Sequence, residues 1–136
     1  MIIFADTSAL YALLVRDDYM HVRAKQCFSH FANQSVQLIS SSFVLVETVA
    51  LLQRRIGLDA VQDFNTRIVP LMDIIWVDAQ WYARGLQRLS SQAMRDLSLV
   101  DCLSFEIMEA RAVTLAFAYD KHFEENGFAI AHFEDE

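Results

Sequence analysis

Four acidic residues lie within or directly beside strongly apolar segments of the chain. Asp6 follows residues 2–5, Glu47 lies within 43–52, Asp101 lies within 99–103, and Asp120 follows 114–119. A buried carboxylate is costly unless a partner compensates its charge, and no lysine or arginine stands out as a local partner. A divalent cation would compensate all four, because Mg²⁺ and similar ions prefer carboxylate oxygens. The residues therefore indicate a metal site, provided that the fold brings the four acids together.

The elements that must position these acids alternate along the chain. Short apolar segments predict strands at 2–5, 36–39, 73–77 and 114–118, with a fifth edge strand at 128–132. Helical patterns occupy 9–14, 19–31, 43–56, 58–68 and 79–93, and another helix opens at Ser98. This alternation favours the α/β class: one domain over 1–136, built as a three-layer α/β/α sandwich with a mostly parallel central sheet of about five strands.

Such sheets bind ligands at the carboxyl ends of their strands, near the point where the strand order reverses. Asp6 and Asp120 follow predicted strands, Glu47 lies about one and a half turns into the helix after the second strand, and Asp101 lies in the first turn of the helix before the fourth. A structural alternative exists for three of them. Asp6 and Asp120 can each cap the helix or turn that follows, and Asp101 can form a capping box with Ser98. Glu47 has only apolar residues on its own helix face, which favours a functional role.

Composition limits the possible functions. The net charge of −7 does not suit a protein that binds nucleic acid through a broad basic face, although bound metal would offset the inner acids. We expect no membrane span and no signal peptide, and two reduced cysteines in a cytoplasmic protein. His21 and His122 lack zinc-ligand spacing relative to the cysteines, and no glycine-rich phosphate loop is present.

Four sequence segments resemble the PIN-domain ribonucleases, and within them the VapC-type toxins of toxin–antitoxin pairs. The segments are FADTSAL at 4–10, VET at 46–48, LSLVDCLSF at 97–105, and YDKHF at 119–123 with Gly127-Phe128 after it. The resemblance spans essentially the whole chain. It implies an endoribonuclease that depends on Mg²⁺ or Mn²⁺, with Asp6, Glu47, Asp101 and Asp120 as metal ligands and catalytic acids, and with Thr7 or Ser8 orienting groups at the site.

The resemblance also implies an RNA substrate, a homodimer, and inhibition by a cognate antitoxin that reaches into the acidic groove. The cations at positions 84, 88, 95 and 121 either steer this RNA or are solvated surface charges. Apolar helix residues, namely Tyr11, Leu14, Phe28, Phe31, Leu51 and Leu52, are either part of a dimer face or core. Ala118-Tyr119 departs from the small hydroxyl residues that family members often have before the last acid. Two alternatives stay open: a PIN-like RNA-processing nuclease that is not a toxin, and a catalytically idle binding module.

Overall fold

A computed structural model of the chain describes residues 1–92 and 96–132. Its five strands form one sheet with the order β3-β2-β1-β4-β5. The strands are β1 Ile2–Ala5, β2 Gln37–Ser41, β3 Met72–Ile75, β4 Leu115–Phe117 and β5 Ala129–Ile130. The helices are α1 Thr7–Leu14, α2 His21–Asn33, α3 Ser42–Arg55, α4 Leu58–Asp63, α5 Ala79–Gln92, α6 Leu99–Ala110 and α7 His122–Glu125.

All neighbouring strands pair in parallel, so the predicted parallel α/β fold is confirmed. The chain runs from β1 through β2 to β3 in one direction, then returns to the other side of β1 for β4 and β5. Right-handed crossovers therefore place α1–α4 on one face of the sheet and α5–α7 on the other. The contacts agree, because α1 packs on α2 and α3, whereas α5 packs on α6. The strand order reverses between β1 and β4, where ligands are expected.

The core lies between the sheet and these two helix layers, and aromatic rings fill much of it. Phe105 on α6 stacks on Phe128 and meets the edge of Phe123, with ring centroids 5.4 Å and 5.0 Å apart. The three inner strands, β2, β1 and β4, all bring buried apolar side chains to the sheet, as the uninterrupted apolar runs predict.

Several predicted boundaries are shifted. The third strand covers Met72–Ile75 rather than 73–77, and the fifth is reduced to Ala129–Ile130. The predicted helix 58–68 is interrupted: α4 ends at Asp63, and a π-helical turn at Phe64–Ile68 and a 3₁₀ turn at Val69–Leu71 follow it. Residue 93, the predicted end of α5, lies outside the described residues. No helix in the described residues is both long enough and apolar enough to cross a membrane.

Candidate metal centre

Asp6 directly follows β1, at the point between β1 and β4 where the strand order reverses (the switch point), and is 3% exposed. Its backbone N–H donates to the carbonyl of Phe117 at 3.0 Å, which joins the ends of β1 and β4. One carboxylate oxygen, Oδ2, accepts from the backbone N–H of Ser8 at 3.1 Å and so caps α1. The other oxygen, Oδ1, is buried and has no hydrogen-bond partner among the described residues. Asp6 is therefore both a helix cap and an acceptor with an unused oxygen.

Ser8 connects Asp6 to the strand on the other side of the switch point. Its hydroxyl donates to Asp6 Oδ2 at 2.6 Å and accepts from the backbone N–H of Tyr119 at 2.9 Å. These two bonds fix the Asp6 side chain relative to the segment that carries Asp120. Thr7 takes a different direction: its hydroxyl lies 3.0 Å from that of Thr48, so Thr7 links α1 to α3 and has no hydrogen bond to the acids.

Asp101 enters the site from the first turn of α6 and is 7% exposed. Ser98 caps this helix, because its hydroxyl accepts from the backbone N–H of Asp101 at 3.0 Å. Interactions of the Asp101 carboxylate with the backbone N–H and the hydroxyl of Ser98 lower the pKa of Asp101, as the predicted capping box requires.

Glu47 on α3 and Asp120 after β4 complete the set, and both are more exposed than the apolar sequence around them suggests. Glu47 is partly buried, and the Asp120 side chain is 31% exposed. Asp120 Oδ1 accepts from the backbone N–H of His122 at 3.0 Å, so the predicted turn cap also exists.

The electrostatics join the four acids into one cluster. Burial raises the pKa of Asp6 from 3.8 to about 7; the Ser8 hydrogen bonds oppose this rise, and the charges of Asp101 and Glu47 add to it. Burial likewise raises the pKa of Asp101 to about 6; the charges of Asp120 and Glu47 add to this rise, and the hydrogen bonds from Ser98 oppose it. Each carboxylate thus makes the ionised form of its neighbours less favourable, which is the situation that a bound cation relieves.

His122 belongs to this cluster, although sequence reasoning considered it only as a zinc ligand with cysteine. Asp101, Asp120 and His122 each offer a ligand atom, and these three atoms lie within 4.8 Å of one another. The sequence signal was present, because His122 lies in the YDKHF segment that carries the family resemblance. Asp96 is exposed, and its Oδ2 lies 3.7 Å from His122 Nε2.

The protonation of His122 follows from these neighbours. Burial alone would lower the pKa of His122, but the nearby carboxylates outweigh it and raise the pKa above its usual value. The main contributions come from Asp120 and from Glu125, whose Oε2 lies 3.3 Å from Nδ1. Because the imidazole is held among acids, it can compensate part of their charge.

The donor set fits a hard divalent cation. Its carboxylate oxygens are the ligands that Mg²⁺ and Mn²⁺ prefer, and Asp6 Oδ1 is a buried oxygen without a partner. Asp6 and Glu47 lie outside the group formed by Asp101, Asp120 and His122. They are nevertheless coupled to it, because the charge of Glu47 raises the pKa of Asp101 and the charge of Asp101 raises the pKa of Asp6.

Two cations considered for RNA steering have other partners. Arg88, only 14% exposed at its side chain, lies 2.9 Å from Glu106 and 3.0 Å from Glu109 and so joins α5 to α6. Arg84 lies 3.6 Å from Glu106. Arg88 therefore forms a largely buried interhelical ion pair, whereas Arg84, 48% exposed at its side chain, is a solvated charge that also pairs with Glu106. Lys121 is exposed beside the acids, and residue 95 is not among those the structure describes.

The fold and this site define the class of protein. The chain belongs to the PIN domain family, whose model matches residues 3–129, and the resemblance found in the sequence is confirmed. Among characterised proteins, the chain is 32% identical over 127 residues to the 23S rRNA-specific endonuclease VapC20 of Mycobacterium tuberculosis, a match that covers 93% of this chain and 95% of the relative.

Solved structures give the same result. The crystal structure of Mycobacterium tuberculosis VapC20, described as a sarcin–ricin loop cleaving toxin, matches with a TM-score of 0.85 and 29% identity over 95% of this chain and 97% of that one. FitAcB from Neisseria gonorrhoeae matches with a TM-score of 0.66 over 96% of each chain; at 16% identity, it supports the fold alone.

Proposed function

We propose that this protein is a divalent-metal-dependent endoribonuclease that hydrolyses RNA phosphodiester bonds. The observation that carries the proposal is the buried, unpartnered Oδ1 of Asp6 at the switch point of the sheet, beside a cluster of acids that raise one another's pKa values. Membership of the PIN domain family and similarity to an rRNA endonuclease support RNA as the substrate.

In this proposal Asp6, Glu47, Asp101 and Asp120 hold Mg²⁺ or Mn²⁺. When bound, the ion lowers the pKa of a water and offsets the charge on the phosphoryl oxygens. The chain's own contribution is positional. Ser8 holds Asp6 Oδ2, so that Oδ1 stays directed away from the helix cap, and Ser98 holds Asp101 at the start of α6.

The protons on these acids make ion binding pH-dependent. Asp6, with a pKa of about 7, and Asp101, with a pKa of about 6, hold protons part of the time near neutrality. Ligand carboxylates must be deprotonated, so the affinity for the ion rises with pH through this range.

We further propose that the protein is the toxin of a toxin–antitoxin module, acts in the cytoplasm as a homodimer, and is inhibited by a cognate antitoxin protein. The support is the similarity to VapC20, which is described as a toxin. Ribosomal RNA, the substrate of that relative, is the first RNA to test. Growth arrest on expression, relieved by the product of a neighbouring short reading frame, distinguishes a toxin from an RNA-processing nuclease.

The activity is tested by digesting RNA with the wild type, Glu47→Gln and Asp101→Asn, each with Mn²⁺ or with EDTA. We expect cleavage only by the wild type with Mn²⁺. Asp59→Asn is a matched control, because Asp59 is exposed in the first turn of α4 and should not affect cleavage. Full-rate cleavage by Asp101→Asn in EDTA would refute the proposal. Calorimetry that detects no Mn²⁺ binding would favour the idle binding module instead.

A further inference from the structure

A cavity opens beside Asp120 at the carboxyl ends of β4 and β5. One wall is formed by Tyr19 and Met20, which directly precede α2, and by Arg23 in the first turn of α2. The opposite wall comes from the segments after the two strands, including Tyr119 and Lys121. Because Asp120 lines the cavity and also belongs to the acidic cluster, the cavity is continuous with the candidate metal centre.

The cavity contains two cations that the rest of the described chain does not neutralise. Arg23 and Lys121 are exposed, and neither forms an ion pair within residues 1–92 and 96–132. This contrasts with Arg84 and Arg88, which pair with acids on α6. In a chain of net charge −7, two unpaired cations beside a phosphodiester-cleaving site are positioned to contact phosphate. Acidic side chains are present as well, since Glu124 joins Asp120 in the lining.

The aromatic ring of Tyr19 lines the same cavity. Tyr19 is 89% exposed, so its ring is accessible to a ligand in the cavity. Proteins that bind single-stranded RNA stack its bases on such rings. Tyr119, on the other wall, is fixed by the bond from its backbone N–H to Ser8 and by packing of its ring on Phe117 with centroids 6.1 Å apart.

We propose that this cavity binds the nucleotide that adjoins the scissile phosphate of a single-stranded RNA, with Arg23 and Lys121 contacting its phosphate and Tyr19 stacking on its base. This inference rests on the proposed ribonuclease function, because it assigns a subsite for the same substrate. The charge pattern favours RNA over an acidic peptide as the occupant, since the cations adjoin the centre where a phosphodiester must lie.

The test measures binding without turnover. A short fluorescent single-stranded oligoribonucleotide is titrated with protein in Ca²⁺ buffer over a series of salt concentrations. We expect Arg23→Ala to weaken binding by about tenfold and to lower the salt dependence by about one counterion. Tyr19→Leu should weaken binding without changing the salt dependence, whereas Tyr19→Phe should retain the affinity of the wild type. Lys25→Ala is the matched control, because Lys25 is an exposed cation on the same helix that does not line the cavity.

Arg23→Ala binding RNA with the affinity and salt dependence of Lys25→Ala would overturn the inference, as would equal affinities of Tyr19→Leu and Tyr19→Phe. These results are separable from failure of the nuclease proposal, which is read from the cleavage of RNA by the wild type with Mn²⁺. Wild-type protein that binds RNA through Arg23 and Tyr19 but does not cleave it would support the proposed subsite and refute the proposed nuclease activity.

Discussion

Replacing Asp6 by Asn should make the metal-free protein more stable at alkaline pH while removing its response to metal. Asp6 is 3% exposed, and burial raises its pKa from 3.8 to about 7. The folded state therefore keeps a proton on Asp6 over a pH range in which the unfolded chain has released it. The contribution of Asp6 to stability is highest below pH 3.8, falls as the pH rises towards 7, and is constant above that value.

The size of the effect follows from the same shift. A difference of roughly three pKa units, at about 1.36 kcal/mol each, corresponds to about 4 kcal/mol between acid and alkaline pH. Asn cannot ionise, so Asp6→Asn lacks this pH dependence. Its amide can still accept the bonds that Ser8 donates to Oδ2. The stability advantage of Asp6→Asn over the wild type should therefore grow by up to about 4 kcal/mol from pH ~4 to pH ~8.5.

The assay is urea denaturation of both proteins in EDTA across this pH range, repeated with Mn²⁺. A metal that binds only the folded state at a hundred times its dissociation constant adds about 2.7 kcal/mol to the wild type, and Asp6→Asn should lose most of that gain. Asp78→Asn is the matched control: Asp78 is an exposed cap that accepts from the backbone N–H of Trp81 at 2.9 Å, and Asn caps equally well. A stability difference between Asp6→Asn and the wild type that is independent of pH, or equal stabilisation of both by Mn²⁺, would refute the reasoning.

Three further predictions concern residues around the site and in the helix layer behind it. Ser8→Ala removes the hydroxyl that holds Asp6 and should lower Mn²⁺ affinity or RNA cleavage by about 10- to 100-fold, measured by calorimetry and by RNA digestion; unchanged values would contradict the positioning role. Tyr119→Phe removes a buried hydroxyl that has no hydrogen-bond partner among the described residues. It should raise the free energy of unfolding of the RNA-free protein by about 1 kcal/mol, measured by urea denaturation. A lower urea midpoint than that of the wild type would show that the hydroxyl is hydrogen-bonded. Arg88→Ala breaks ion pairs in which the Arg88 side chain is 14% exposed, and it should lower the free energy of unfolding by about 2 kcal/mol in urea denaturation. Arg67→Ala breaks a pair in which Arg67 is 78% exposed, and it should lower the free energy of unfolding by less than about 0.5 kcal/mol. Equal losses in the two variants would contradict this prediction.

The fold and the location of the acids could be predicted from local sequence features. Uninterrupted apolar runs identify buried parallel strands, and the carboxyl ends of such strands lie at one edge whatever the details of packing. For this reason Asp6 and Asp120 could be placed near each other before any coordinates were known. Capping and metal binding also proved compatible for Asp6, because the cap uses Oδ2 and leaves Oδ1.

The depth of burial and the long-range partners could not be predicted. Glu47 lies among apolar residues in the sequence but is only partly buried, because burial depends on how α3 packs and not on its neighbours along the chain. His122 and Asp96 are 26 positions apart, and only the tertiary fold brings them together. The pairing of Arg88 with α6 is likewise a product of interhelical packing. Tertiary contacts of this kind carry no local signal.

The most direct test of the metal centre is an anomalous difference map from crystals of this protein soaked in Mn²⁺. We expect a Mn²⁺ peak among the carboxylates of Asp6, Glu47, Asp101 and Asp120, and no peak there in Asp6→Asn crystals. Wild-type crystals without a peak at these acids, or with the ion bound elsewhere on the chain, would contradict it.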